Sequence, residues 1–223
     1  MVHIRGAGHA WREALKVVQA MSVASENEAR PTMSTAPRKA EEVISLKVTL
    51  RGMRPPIWRR LEVPIRMSLD LLHDAIQAAM GWKDHHLYRF DIAGRSYGNP
   101  CQVDDVADDT RLTLAGVMKS GVRRFTYTYD FGDDWEHEIV IEGKKAATDG
   151  RRYPICIAGK MNCPPEDCGG VWGYRDFLAA IADPSSSKAE EWSEWMDRDF
   201  DPKEFSVEVV NSRIAARLTS LHA

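Results

Sequence analysis

No run of about 18 apolar residues occurs in the 223-residue sequence, so no segment reads as a membrane-spanning helix. Neither sign of charge is in excess: 30 Lys+Arg stand against 33 Asp+Glu, a formal net charge of −3. That excludes a strongly basic general coat for nucleic acid and leaves only a local basic patch open. There is no G-x-S-x-G elbow, no P-loop and no dinucleotide-type glycine pattern, so nucleophilic-serine and nucleotide-phosphate chemistry have no motif behind them. Cysteine is scarce: Cys101, Cys156, Cys163 and Cys168 are the four. The apolar core of a secretory signal is also missing, because His3, Arg5, His9, Arg12, Glu13 and Lys16 interrupt it. The expected compartment is therefore the reducing cytosol, where disulfides are not expected.

The composition that remains is ordinary for a soluble domain, 43% hydrophobic and 28% charged. Residues 1–42 read as an extension. Trp11, Leu15, Val18 and Met21 suit one short amphipathic helix, and Ser25–Glu42 is too rich in Ser, Thr, Pro, Ala and charge to build a core. A start of translation at Met33 is the other reading of this region. Residues 43–223 read as a single α+β domain.

In VISLKVTL, Ile44, Leu46, Val48 and Leu50 alternate with polar residues, the period of a half-buried strand. Ile57–Val63 resumes the strand character after a Pro-Pro turn and is expected to pair back. Ser68 is the expected cap of a helix running to Met80, with Leu69, Leu72, Ile76 and Ala79 on one stripe and Gly81 as its stop. Leu87–Ile92 and Arg95–Tyr97 read as further strands, CQVDDVADDT as an acidic loop, and Leu112–Met118 as a short helix. Phe125, Tyr127 and Tyr129, then Trp135, His137, Ile139 and Ile141, alternate on either side of Phe-Gly-Asp-Asp and predict a β-hairpin. Tyr153–Ile157 is a candidate strand. Trp172–Ile181, Ser187–Met196 and Ser206–Leu218 read as helices. Strands first and helices last predict an α+β fold: a mostly antiparallel sheet in a roll-like arrangement, packed by helices, with a helical C-terminal segment.

Four groups can carry chemistry. At the hairpin turn, Asp130, Asp133 and Asp134 surround Gly132, with His137 close behind. Carboxylates with an imidazole can hold a divalent metal or act as acid and base. The same aspartates also suit a tight turn, in which Gly supplies positive φ, and His137 shares the parity of a core face. In GWKDHHLYRF, His86 has the inward parity of Tyr88, His85 the solvated one, and Asp84 can orient either ring; His73 flanks the apolar stripe of the first helix. In CPPEDCGG, Glu166 and Asp167 sit between two thiols in a loop stiffened by prolines. Folded over the sheet, Cys163 and Cys168 with His86 and His137 would form a Cys2His2 zinc site; alternatively the acids cap the following helix and the cysteines are small buried hydrophobes. Lastly Arg51, Arg54, Arg59, Arg60 and Arg66, with Trp58 among them, form a basic strand able to meet a phosphate backbone or simply to solvate an edge. The acidic stretch 183–204 is its candidate counter-charge.

Five segments, PPIWRRLEVP, LLHDAIQAAMGW, HLYRF, YDFGDDWEHEI and CPPEDCGGVWGY, occur in this order within the span from about Val43 to about Leu218. Together they resemble the plasmid Ri open-reading-frame-three-like family, whose members also occur on passenger proteins of bacterial insertion elements. The resemblance implies an α+β roll-like domain of bacterial or archaeal origin and brings no settled activity with it. The N-terminal extension departs from the family pattern. The favoured expectation is a cytosolic binding or interaction module, its site made by Tyr129, Asp130, Asp133, Trp135, Glu166 and Asp167. A nucleic acid or a protein of a mobile element is the partner implied by the resemblance alone. The rival expectation is a metal-dependent hydrolytic enzyme using His86, Asp130, Asp133, His137 and Glu166.

Overall fold

A computed structural model describes residues 41–183, 185–187, 189, 192 and 200–220. The extension read over 1–42 lies, up to residue 40, outside the described residues, as do most of the helix expected over 187–196 and half of the acidic stretch 183–204.

Eight strands form one sheet: β1 Glu42–Leu50, β2 Ile57–Pro64, β3 Tyr88–Ile92, β4 Arg95–Gly98, β5 Ala107–Asp108, β6 Arg124–Tyr129, β7 Trp135–Ala146 and β8 Ile155–Lys160. Their order is β5-β4-β3-β6-β7-β1-β2-β8. Every pairing is antiparallel except the short β4–β5 ladder. Among the described residues, four α-helices accompany it: α1 Leu69–Met80, α2 Leu114–Lys119, α3 Gly170–Ala182 and α4 Val207–Ser220. This is the mostly antiparallel α+β architecture expected from the element order. The acidic loop contains β5 and a 3-10 turn at Asp109–Arg111, and the strand expected at 153–157 begins two residues later, at Ile155.

The period-two pattern decides which face is buried. Ile44, Leu46, Val48 and Leu50 of β1, Ile57, Leu61 and Val63 of β2, and Trp135, His137, Ile139 and Ile141 of β7 all point to one side. Helix α1 lies on that face. Leu69, Leu72, Ile76 and Ala79 are buried as their spacing requires, each large apolar side chain contributing about 1.5–3 kcal/mol. Gly81 ends α1 in the left-handed conformation, and its N–H returns to Gln77 O; Ser68 occupies the N-cap position, but its hydroxyl makes no capping bond. Helix α4 packs on α1 and against β8.

The opposite face carries ion pairs. Arg60 reaches both oxygens of Glu142, Arg51 pairs with Glu136, and Arg124 with Glu138. A bulge between Ser45 and Leu46 inserts Glu142 into β7 opposite β1. Arg51 and Arg60 of the basic run are thereby paired with glutamates of the same sheet. Arg59 departs from the expected solvated edge altogether: it is 3% exposed on the core face, donating to Ala79 O at 3.0 Å, Trp58 O at 2.9 Å and Lys160 O at 3.2 Å. Strand parity assigns it inward, and carbonyls at the end of α1 and at the β2–β8 edge receive its guanidinium.

Candidate functional site

Three loops meet at one end of the sheet: the stretch from Trp82 to Leu87 after α1, the hairpin turn Asp130–Asp134, and the segment 161–169 before α3. Trp82 anchors the first of them. Its ring stacks on Tyr129 at 5.1 Å, and its indole N–H donates to Pro164 O at 2.9 Å. In the turn, Asp130 Oδ1 accepts the Gly132 N–H at 2.9 Å and the Asp133 N–H at 3.3 Å. The positive φ expected of Gly132 falls instead on Asp130 (58°) and Asp134 (53°), a conformation aspartate tolerates because its carboxylate bonds the local backbone.

The turn and the Pro-Pro loop are joined directly. Tyr129 OH donates to Glu166 Oε1 at 2.5 Å, and Asp133 Oδ2 accepts the Gly169 N–H at 3.1 Å. Gly169 is the N-cap of α3, so the carboxylate meeting that helix terminus comes from the hairpin, whereas Glu166 and Asp167 were the expected caps. Gly170 (φ +67°) packs so closely that a Cβ there would stand 2.4 Å from Asp133 O.

His86 Nε2 lies 2.9 Å from Asp167 Oδ1 and 3.6 Å from Asp130 Oδ2. The nearer contact lacks hydrogen-bond alignment, and this buried ring nitrogen has no hydrogen-bond partner. His85, exposed as expected, places Nδ1 3.7 Å from Glu166 Oε2 and donates its backbone N–H to Tyr129 OH at 3.0 Å. Two clefts border this region. One, of about 470 Å³, is lined by Trp82, Lys83, His85, Pro164, Glu166 and Arg213 among others. The second, of about 380 Å³, has His73, Asp74, Asp84, His86 and Arg217 on its walls.

A polar chain runs into the core beneath the second cleft. Asp84 Oδ1 holds His73 Nε2 at 2.9 Å, and His73 Nδ1 meets Tyr127 OH at 2.8 Å, which also receives the Gln77 amide at 3.0 Å. Arg217 bonds Asp74 and Asp84, both at 2.6 Å. Burial alone would raise the Asp84 carboxyl, but hydrogen bonds and charge from His73 and Arg217 hold it below its ordinary value. Of this chain, the sequence signals only His73, a polar residue beside an apolar helical stripe, and Asp84 as a ring-orienting acid. Gln77, Tyr127 and Arg217 carry no local mark, because what joins them is the packing of α1 on β6 and of α4 on α1.

Several expected site residues are placed elsewhere. Tyr129 and Trp135 are fully buried, so they floor the site and do not rim it. His137 is also fully buried, with Trp82 edge-on at 5.3 Å and Tyr127 at 5.4 Å, and neither ring nitrogen has a hydrogen-bond partner. Burial pushes its pKa down to about 4, partly countered by the neighbouring backbone of Tyr127 and Trp135. Cys163 faces Met80 Sδ at 3.0 Å and Arg59 Nη2 at 3.4 Å. Cys168 is buried, and its thiol is pushed up to about 12 by burial and then by the Asp133 charge. Among the described residues, ligand atoms of three or more His, Cys, Asp or Glu side chains come within 4.8 Å of one another in two places, His73/Asp74/Asp84 and His86/Asp130/Asp167. Neither contains a cysteine or His137, so the expected Cys2His2 zinc set is not assembled: its members are separated by the sheet's core packing.

The fold and this three-loop site define an α+β domain with a carboxylate- and histidine-lined end. The chain matches the family model described as plasmid pRiA4b ORF-3-like protein over residues 42–209, and it belongs to that family. It is 42% identical over 156 residues, 69% of this chain and 80% of the relative, to the uncharacterized protein y4hQ of Sinorhizobium fredii. The crystal structure of a protein of unknown function, MM3350 from Methanosarcina mazei, superposes with a TM-score of 0.71 at 36% identity, covering 76% of this chain and 97% of that one. Among the described residues, no helix is long and apolar enough to cross a membrane.

Proposed function

We propose that the chain is a binding module, and that its ligand enters the cleft of about 470 Å³ between the end of α1 and the Pro-Pro loop. The observation that carries this reading is the Tyr129–Glu166 hydrogen bond, which with Asp133–Gly169 holds the loop bearing the acidic wall against the sheet. A wall fixed before binding loses little entropy when a ligand arrives. Lys83 and Arg213 supply cations on the helical side, Glu166 and Asp167 supply anions on the loop side, and Trp82, Pro164 and Phe200 supply apolar surface. That mixture suits a ligand bearing both charges on an apolar body, such as a peptide segment. A phosphate backbone is less well matched, because Arg51 and Arg60 are paired with glutamates and Arg59 is buried. The family's plasmid description supports a place in a plasmid or mobile-element system.

Thermal shift against a panel of short charged peptides tests the reading. A ligand at about 100 times its Kd stabilises the fold by about 2.7 kcal/mol. That gain is expected in the native chain and lost in Arg213→Ala, whose side chain is exposed. A panel without response ends this reading. Turnover of an ester or phosphoester by metal-loaded protein, lost in His86→Gln, would replace it with the hydrolytic one.

A further inference from the structure

Two triads of ligand-type side chains lie near the clefts, and they differ in one respect. The His73/Asp74/Asp84 triad already has a cation, since Arg217 bonds both aspartates. The His86/Asp130/Asp167 triad has none: among the described residues neither Asp130 nor Asp167 pairs with an arginine or lysine, and both carboxylates face the His86 ring. Asp130 is nine-tenths buried. Its Oδ1 is used by two backbone N–H groups, while Oδ2 makes no hydrogen bond and faces His86. His86 Nε2, a buried nitrogen without a hydrogen bond, and Asp130 Oδ2, which also makes none, face the same space.

We propose that His86 Nε2, Asp130 Oδ2 and Asp167 Oδ1 bind a first-row divalent cation of the zinc or manganese class. Ligand atoms around such an ion at about 2.1 Å stand roughly 3–4 Å apart. The spacings from His86 Nε2 are 2.9 Å to Asp167 and 3.6 Å to Asp130, and all three atoms lie within 4.8 Å of one another. Two carboxylates offset the charge of a divalent ion, and the imidazole favours zinc or manganese over calcium, which takes six to eight oxygens. Tyr129 stands edge-on to the His86 ring at 5.9 Å and limits its rotation. Asp167 is 60% exposed, so water has access to complete the coordination. The ion would join the loop after α1, the hairpin turn and the Pro-Pro loop. It does not depend on the peptide cleft, which takes its charges largely from other residues.

Calorimetric titration of the chelator-stripped full chain with Zn²⁺ and with Mn²⁺ tests this. One saturable equivalent of at least one ion is expected. Its Kd should rise more than about tenfold in Asp167→Asn and in Asp130→Asn, and stay unchanged in Asp74→Asn. Asparagine at 130 keeps the turn acceptor and tolerates the positive φ; should that variant fail to fold, the exposed Asp167→Asn decides alone. A Co²⁺ complex should show no thiolate charge-transfer band. Absence of saturable binding by either ion, binding that survives Asp167→Asn, or a thiolate band would each overturn the site.

Discussion

The Tyr129 hydroxyl donates to Glu166 at 2.5 Å while accepting the His85 backbone N–H at 3.0 Å, so one phenol at the end of β6 couples the loop after α1 to the Pro-Pro loop. Burial, followed by the Glu166 carboxylate, holds the hydroxyl protonated far above its ordinary range, which keeps it a donor at all physiological pH. Tyr129→Phe leaves the ring packing in place and removes both bonds. The expected loss is about 1–3 kcal/mol in chemical denaturation, with faster hydrogen exchange at the His85 amide. Unchanged exchange there would show that the loops are held by other contacts.

His137 gives the fold an acid sensitivity with a defined sign. In the fold its imidazole stays neutral down to about pH 4, whereas in the unfolded chain it takes up a proton near 6.5. The unfolded state therefore binds more protons between those values. Stability is complete above about pH 6.5 and falls as the pH drops toward 4, by about 3 kcal/mol from this residue. His137→Leu should remove that slope and, by deleting two unpartnered buried nitrogens, raise stability at pH 7 by about 1–3 kcal/mol. Urea midpoints of both proteins at several pH values measure the difference.

Neighbouring arginines on β2 should behave oppositely. Arg59→Ala strips a buried guanidinium from three carbonyls and from the face of Phe205, 4.8 Å away, and should cost about 2–4 kcal/mol through the carbonyls left unsatisfied and the lost packing. Arg60→Ala breaks a surface pair with Glu142 and should cost under about 1 kcal/mol, falling further in high salt. Equal losses would mean that Arg59 is solvated.

The cysteines should separate by exposure. Cys101 is exposed, whereas Cys156, Cys163 and Cys168 are buried with thiols pushed upward chiefly by burial. Because the thiolate is the reacting species, a disulfide reagent should modify one thiol quickly in the native protein and all four after denaturation. Rapid modification of Cys163 or Cys168 would place the Pro-Pro loop open in solution.

Alternation by itself determined the strands β1, β6 and β7 and the inward parity of His137, because a half-buried strand must repeat every two residues, and β2 followed as the strand that pairs back after the Pro-Pro turn. The 3.6-residue stripe and Gly81 likewise determined α1 and its end. The ordered motifs were enough to indicate the family. Parity even predicts Arg59 inward, but no local rule announces carbonyls waiting for a buried guanidinium, so the arginine run reads as one basic surface. Which polar residues converge was decided only in three dimensions. Asp130, His86 and Asp167 come from three loops whose approach depends on Trp82 under Pro164 and on Asp133 at the start of α3, and the Cys2His2 set fails because core packing separates its members. Periodicity is a property of one element, whereas a site is a property of distances between elements, and those are set by the packing of the whole sheet and its helices.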